Sequence, residues 1–256
     1  MEDAVFKAGR ALVRDFGEIE HLQVSKKGPR DFVTSADKKA EKIIIEELQK
    51  ARPSYGFLTE ESGEIKGEDE KWRWILDPID GTTNFMHGMP HFCISLALEK
   101  TEVTGKKNIE AAVIYAPILN EMFRAEMGNG AFLNDKRIVP SGRKKLDDCV
   151  IAGYLRADAQ SNDINVKPFE NLPSNVRILG AAALELAYVA AGKLDGFWHA
   201  GLKPWDIAAG VLIMREARGM VTEINLGSNV MESGNILATN GFIHDNLSKI
   251  LSKYCK

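Results

Sequence analysis

The 256-residue chain is long enough for one large domain or two modest ones that share an interface. With 45% hydrophobic residues, 27% charged residues and a net charge of −3, it reads as a globular protein with no global basic field to hold nucleic acid. No apolar run approaches the ~20 residues that span a bilayer. The opening stretch MEDAVFKAGRALVRDF lacks the continuous apolar core of a secretory signal, so a cytoplasmic location is expected. Cys93, Cys149 and Cys255 have neither metal-ligand nor disulfide spacing, and the contexts of Cys93 and Cys149 suggest buried free thiols.

In chain order, Val5, Ala8, Leu12 and Phe16 predict a first helix over 2–15. A turn at Lys27-Gly28-Pro29 precedes Asp31-Phe32-Val33. Thr34 or Ser35 then caps a second helix with Asp37 near its first turn and a stripe of Ala40, Ile43, Ile44 and Leu48; Pro53 ends it. The polar, acidic segment 62–70 reads as an exposed loop. Strands are expected at 72–76, 92–98, 110–116 and 121–126, with a hairpin turn at Asn134-Asp135. Further strands at 149–154, 176–179, 194–198, 220–224 and 236–239 are interleaved with helices at 181–191, 206–217 and 243–252. This predicts an antiparallel-sheet domain over 1–145 and a mixed α/β domain over 146–256.

The chemistry concentrates in WRWILDPIDGTTNF at 72–85. An apolar strand runs into Asp77, Pro78 restricts the path, Asp80 lies three residues on, and Gly81 permits a sharp change of direction. Two carboxylates at a strand mouth repel unless a divalent cation joins them. All-oxygen donors favour Mg²⁺, Mn²⁺ or Ca²⁺ over Zn²⁺. An ordinary Asp-Pro-x-Asp-Gly turn is the alternative. Glu60 is either the end of a solvated loop or a further carboxylate for this site. Asp206, after Pro204-Trp205, is either a helix cap or the piece that completes it.

Five segments together resemble the inositol monophosphatase family, and its bacterial members in particular. They are DFVTSAD at 31–37, LTEES at 58–62, WILDPIDGTTNF at 74–85, GAAALELAYVAAG at 180–192 and GLKPWDIAAG at 201–210. The resemblance implies a layered α/β/α/β/α sandwich and hydrolysis of a small sugar or cyclitol phosphate, foremost myo-inositol monophosphate. It implies two or three Mg²⁺ ions, replaceable by Mn²⁺, on Glu60, Asp77, the Ile79 carbonyl, Asp80 and Asp206. Thr82 and Glu60 would hold the attacking water. Gly81 and Thr82 would meet the phosphate, and Gly180, Ala181, Ala182, His199 and Asp206 would border the substrate. Thr34 and Asp37 would support the site from behind, with Lys26 near the phosphate. A homodimer is also implied.

One departure bears on substrate. Many members that act on inositol phosphates carry an acidic residue seven positions before the aspartate of WD, where this chain has His199. An imidazole cannot chelate two hydroxyls as a carboxylate does. Phosphatases for fructose bisphosphate, histidinol phosphate or 3'-phosphoadenosine 5'-phosphate therefore stand as alternatives. So does a role with the transcription machinery, which some bacterial members are expected to share. No GxxxxGK[ST] loop is present, which argues against nucleoside triphosphate hydrolysis. Trp72, Trp74, Trp198 and Trp205 are expected in packing roles. Lys38, Lys39, Lys42 and Arg143-Lys144-Lys145 are expected as solvated surface, and His87 and His91 have no ligand-like partners.

Overall fold

The computed structural model describes residues 1–18, 24–28, 31–154 and 172–253, with backbone alone for 24–28, 31–33 and 154. Helix α1 (Glu2–Phe16) buries the predicted Val5, Ala8 and Leu12. An antiparallel ribbon of β1 (Val24–Gly28) and β2 (Asp31–Thr34) leads into α2 (Ser35–Ala51). Helix α2 starts with a capping box: the Thr34 hydroxyl accepts from the Ala36 and Asp37 N–H groups, and Asp37 accepts the Thr34 N–H.

Next come β3 (Tyr55–Thr59), β4 (Gly63–Ile65), β5 (Asp69–Asp80), β6 (Cys93–Thr101), β7 (Lys107–Ala116), β8 (Glu121–Glu126), β9 (Gly130–Leu133) and β10 (Lys136–Arg137). They form one sheet in the order β10-β9-β8-β7-β6-β5-β3-β4, antiparallel throughout except for the parallel pair β3 and β5. Asn134 and Asp135, both at positive φ, make the expected hairpin turn. The expected loop at 62–70 is corrected: Gly63 at φ +71° reverses the chain, Ile65 pairs with Phe57, and β5 starts at Asp69. Polarity misled because this is a sheet edge, where side chains face water while the backbone pairs.

A second sheet, ordered β12-β11-β13-β15-β14, comprises β11 (Val150–Tyr154), β12 (Asn175–Arg177), β13 (Gly196–His199), β14 (Met220–Thr222) and β15 (Ile236–Thr239). The remaining α-helices among the described residues are α3 (Thr82–Met86), α4 (Ala182–Ala190), α5 (Pro204–Glu216), α6 (Val230–Ser233) and α7 (His244–Leu251).

The layers follow from strand alternation. Trp74, Leu76, Ile94, Leu96, Val113 and Tyr115 point to the side covered by α1 and α2. Ile75, Ala97, Ala112 and Ile114 point the other way, onto α4 and α5, which also take up Ala152, Phe197, Ile236 and Ala238 of the second sheet. Ile151, Trp198 and Leu237 face Leu247 and Leu251 of α7. The result is the α/β/α/β/α sandwich, held by side chains each worth about 1.5–3 kcal/mol on full burial. Trp74 and Trp198 are core residues, and Trp72 stacks on Tyr55. Two basic positions read as solvated surface carry further ties: Lys39 pairs with Asp15 on α1 at 2.9 Å, and Arg143 pairs with the fully buried Asp195 at 3.0 Å. Cys93 and Cys149 are buried and free. No helix among the described residues is long and apolar enough to cross a membrane.

Candidate active site

Strand β5 does not stop at Asp77 but continues to Asp80, and its register with β6 slips between those two residues. Pro78 has no N–H to give a ladder, so the strand bulges there and both aspartates are re-aimed. The Ile79 N–H bonds Asp77 Oδ1 at 2.9 Å, fixing that carboxylate. Gly81 then turns the chain at φ +96°; a Cβ there would lie 3.1 Å from the His91 carbonyl and 3.2 Å from Ala181 Cβ. The turn delivers Thr82, whose Oγ1 lies 3.0 Å from the Ile79 carbonyl and 3.3 Å from Asp37 Oδ1.

Four carboxylates gather around this bulge. Asp77 is pushed well above the usual carboxylate range, first by burial and then by the charges of Glu60, Asp80 and Asp206; it also shares a hydrogen bond with Glu60. Asp80 is raised in the same way, by burial first and Asp206 next. Asp37 is raised by burial, against the lowering effect of the Thr34 hydroxyl and N–H. The Glu60 N–H bonds the Leu76 carbonyl at 3.1 Å, which holds Glu60 beside the end of β5.

Asp206 arrives from a distant part of the chain by a traceable route. Ser95 on β6 sits opposite Asp77 in the ladder, and its hydroxyl donates to the Trp205 carbonyl at 3.0 Å. Asp206 also caps its helix, since Oδ2 accepts the Lys203 N–H at 2.7 Å. The cap reading and the cluster reading of Asp206 therefore hold together.

Asp80 carries a second tie. Its oxygens accept the N–H groups of Ala182 at 3.1 Å and Ala183 at 2.6 Å, at the positive end of α4. The Ala181 N–H goes to Glu185 at 3.2 Å. Ala181 and Ala182 thus border the cleft with their small side chains, their N–H groups being already engaged. The Thr34 hydroxyl donates to Asp37 Oδ2 at 2.5 Å. The side chain of Lys26 lies outside the described residues.

These elements enclose a cleft of about 280 Å³ bordered by Asp80, Gly81, Thr82, Gly180, His199 and Asp206 among others. His199 Nδ1 lies 3.0 Å from the Ala200 carbonyl, which can only accept, so Nδ1 carries the ring proton. His91 instead packs edge-on against Tyr188.

Several residues of the site were missed from sequence. Glu185 borders the cleft, is buried, and is raised to about 7 by that burial. Its signal was legible as the single acid in an otherwise apolar helix. Asn84 donates to the carbonyls of His91 and Leu179, each at 2.7 Å, and so holds the wall next to Gly180. Gly153 borders the cleft where a Cβ would fall 1.9 Å from the Trp198 carbonyl.

Among the described residues, no three His, Cys, Asp or Glu side chains are already drawn together as a cage for an ion. The carboxylates stand as mutually repelling neighbours. Their chemistry nonetheless fits a hard divalent cation: every donor is oxygen, and two of them pay in raised pKa for burial beside like charge.

The family model described as the inositol monophosphatase family matches residues 1–256. An inositol-1-monophosphatase of Mesorhizobium japonicum is 50% identical over 99% of this chain and 95% of its own length. The Nus factor SuhB of Escherichia coli K12 is 43% identical over 93% of this chain and 88% of its own. The crystal structure of the extragenic suppressor protein suhB from Bartonella henselae superposes with a TM-score of 0.91 at 51% identity, covering 99% of this chain and 97% of that one.

Proposed function

Because the chain belongs to the inositol monophosphatase family and is accordingly a phosphatase, we propose that it hydrolyses small sugar or cyclitol phosphate monoesters with Mg²⁺, foremost myo-inositol monophosphate. The observation that carries this reading is the buried Asp77 carboxylate held among Glu60, Asp80 and Asp206. Such a cluster is unfavourable alone and favourable around a cation. Glu60, Asp77, the Ile79 carbonyl, Asp80 and Asp206 would hold two or three Mg²⁺ ions, with Mn²⁺ as a substitute. When bound, Mg²⁺ lowers the pKa of a water and offsets charge on the phosphate and leaving oxygen.

The chain's own residues do the positioning. The Thr82 hydroxyl can donate its hydrogen bond to Asp37, which leaves Thr82 Oγ1 to accept a hydrogen bond from the attacking water. Glu60 would accept the water's other hydrogen bond and remove that one proton as the new P–O bond forms. The N–H groups of Gly81 and Thr82 meet the phosphate, and Gly180, Ala181, Ala182 and His199 border the alcohol. The test is phosphate release from a panel of myo-inositol monophosphate, fructose 1,6-bisphosphate, histidinol phosphate and 3'-phosphoadenosine 5'-phosphate, with Mg²⁺ and with EDTA. Preferential Mg²⁺-dependent release from the inositol ester supports the reading. Full turnover after exhaustive chelation sinks it.

A second reading is favoured by the relatives named Nus factor SuhB: association with the transcription machinery through a surface outside the cleft. A pull-down with an Asp77→Asn protein separates the two. Retained polymerase or Nus-factor capture by the inactive protein supports this role, and no capture by either form removes it.

A further inference from the structure

We infer that Glu41 on α2 is a positioning residue that sets where Glu60 stands, an inference that rests on the reading of Glu60 as a metal ligand. Glu41 is only 3% exposed, among the core residues Ala40, Ile44 and Leu48. A buried carboxylate is costly unless donors meet it, and both of its oxygens are met by the segment just after Glu60. Oε2 accepts the Glu61 N–H at 3.1 Å, and Oε1 accepts the Ser62 hydroxyl. The Ser62 N–H in turn bonds Thr59 Oγ1 at 3.1 Å. Glu60 is thereby pinned on both sides, by the end of β3 before it and by α2 after it.

The same helix holds the other half of the proposed water site. Asp37 lies four residues before Glu41, so the two carboxylates share a face about one turn apart. Asp37 receives Thr82, and Glu41 receives the Glu60 loop. The separation of Thr82 from Glu60 is thus gauged by the ~6 Å rise over four helical residues. A surface loop alone would not fix it.

The experiment is calorimetric titration with Mg²⁺ alone, together with kcat, KM and thermal midpoints, on wild type, Glu41→Ala, Glu41→Gln, Ser62→Ala and Glu60→Gln. Glu41→Ala should weaken Mg²⁺ binding by ~10-fold or more, the scale of lost partners behind metal ligands, and lower kcat with little change in KM. Glu41→Gln should restore most of both, because its amide oxygen can take the Glu61 N–H while its amide N–H meets a rotated Ser62 hydroxyl. Ser62→Ala, which removes one bond, should shift Mg²⁺ binding in the same direction by less. A merely structural tether would lower the thermal midpoint and leave Mg²⁺ affinity unchanged.

Folded Glu41→Ala or Ser62→Ala with wild-type Mg²⁺ affinity, while Glu60→Gln binds weakly, overturns the inference alone. If Glu41→Ala does not fold, Ser62→Ala decides on the same criterion. Wild-type Mg²⁺ binding by Glu60→Gln overturns the reading of the site beneath it.

Discussion

On the larger-sheet side of the cleft, Asp77, Ile79, Asp80 and Thr82 come from one unbroken segment, 77–82. On the other side, Glu185, His199 and Asp206 come from α4, β13 and α5. The first side is charged, buried and tied to its own backbone, as in the Ile79 N–H bond to Asp77. The second is assembled by long-range contacts, such as Ser95 to Trp205 and Asp80 to Ala183. A contiguous bulge fixes the proposed chemistry in one local fold. The second side joins that cluster through Asp206, whose charge raises both Asp77 and Asp80.

The comparison breaks most sharply at Asp77. Asp77→Asn should cut turnover by ~10³-fold or more at saturating Mg²⁺ while the fold persists, because charge stabilisation by the ions is lost. The same variant tests the electrostatics in metal-free protein. Asp77 is raised in the fold above its unfolded value, so the folded state keeps a proton that the unfolded chain has released. Its contribution to stability is thus present at low pH and lost as pH rises through the folded pKa. The thermal midpoint of the metal-free wild type should fall as pH rises above about 4, the ordinary range for Asp. Asp77→Asn should flatten that slope, and saturating Mg²⁺ should do the same for wild type. A pH-independent midpoint in the metal-free wild type would remove the repulsion argument.

Asp206→Asn comes next, at roughly 10²-fold lower turnover. Asn can still accept the Lys203 N–H, so the helix cap survives and the metal-free thermal midpoint should change little. Near-native activity would make Asp206 a cap alone. Thr82→Ala is smaller, about 10-fold in kcat with KM nearly constant, because its hydroxyl is assigned to the water rather than to substrate binding. A raised KM at constant kcat would move Thr82 to the substrate instead.

The two sides also differ in how far the sequence reveals them. Asp77 to Thr82 could be read as a unit because a proline, a glycine and two aspartates close together restrict the backbone themselves. Asp206 could be placed only by resemblance: nothing local distinguishes a helix cap from a cluster member, and in the fold it is both. The tie that brings it in, Ser95 to the Trp205 carbonyl, joins residues 110 positions apart and leaves no local pattern. Glu41 was hidden for a related reason, since an acid inside an amphipathic helix normally faces water. Its burial depends on where β3 ends. The layered sandwich was implied by the resemblance; in the fold, alternation along Trp74 to Leu76, Val113 to Tyr115 and Leu237 to Ala238 sorts residues among three cores. The strand at 63–65 was not, because an edge strand need not be apolar to pair.

The finest test concerns His199, where charge and hydrogen bonding must be separated. The Ala200 carbonyl holds the proton on Nδ1, and the ring lies 6.3 Å from that of Phe197 with 28° between planes, so its orientation is set from behind. A carboxylate at this position would offer two acceptor oxygens to adjacent ring hydroxyls. It would also add negative charge near Asp206, which could strengthen ion binding for every substrate alike. His199→Gln is therefore needed beside His199→Glu, since it supplies an acceptor without charge. The quantity to measure is the ratio of kcat/KM for myo-inositol monophosphate to that for each other ester in the panel, because a general change in ion binding cancels in the ratio. One added hydrogen bond, worth about 1 kcal/mol, predicts a rise of roughly 5-fold for His199→Glu. His199→Gln should rise less, since its amide can chelate only through one oxygen. Unchanged ratios in both folded variants would place position 199 outside substrate recognition, leaving the alcohol to be selected by the Gly180–Ala182 wall.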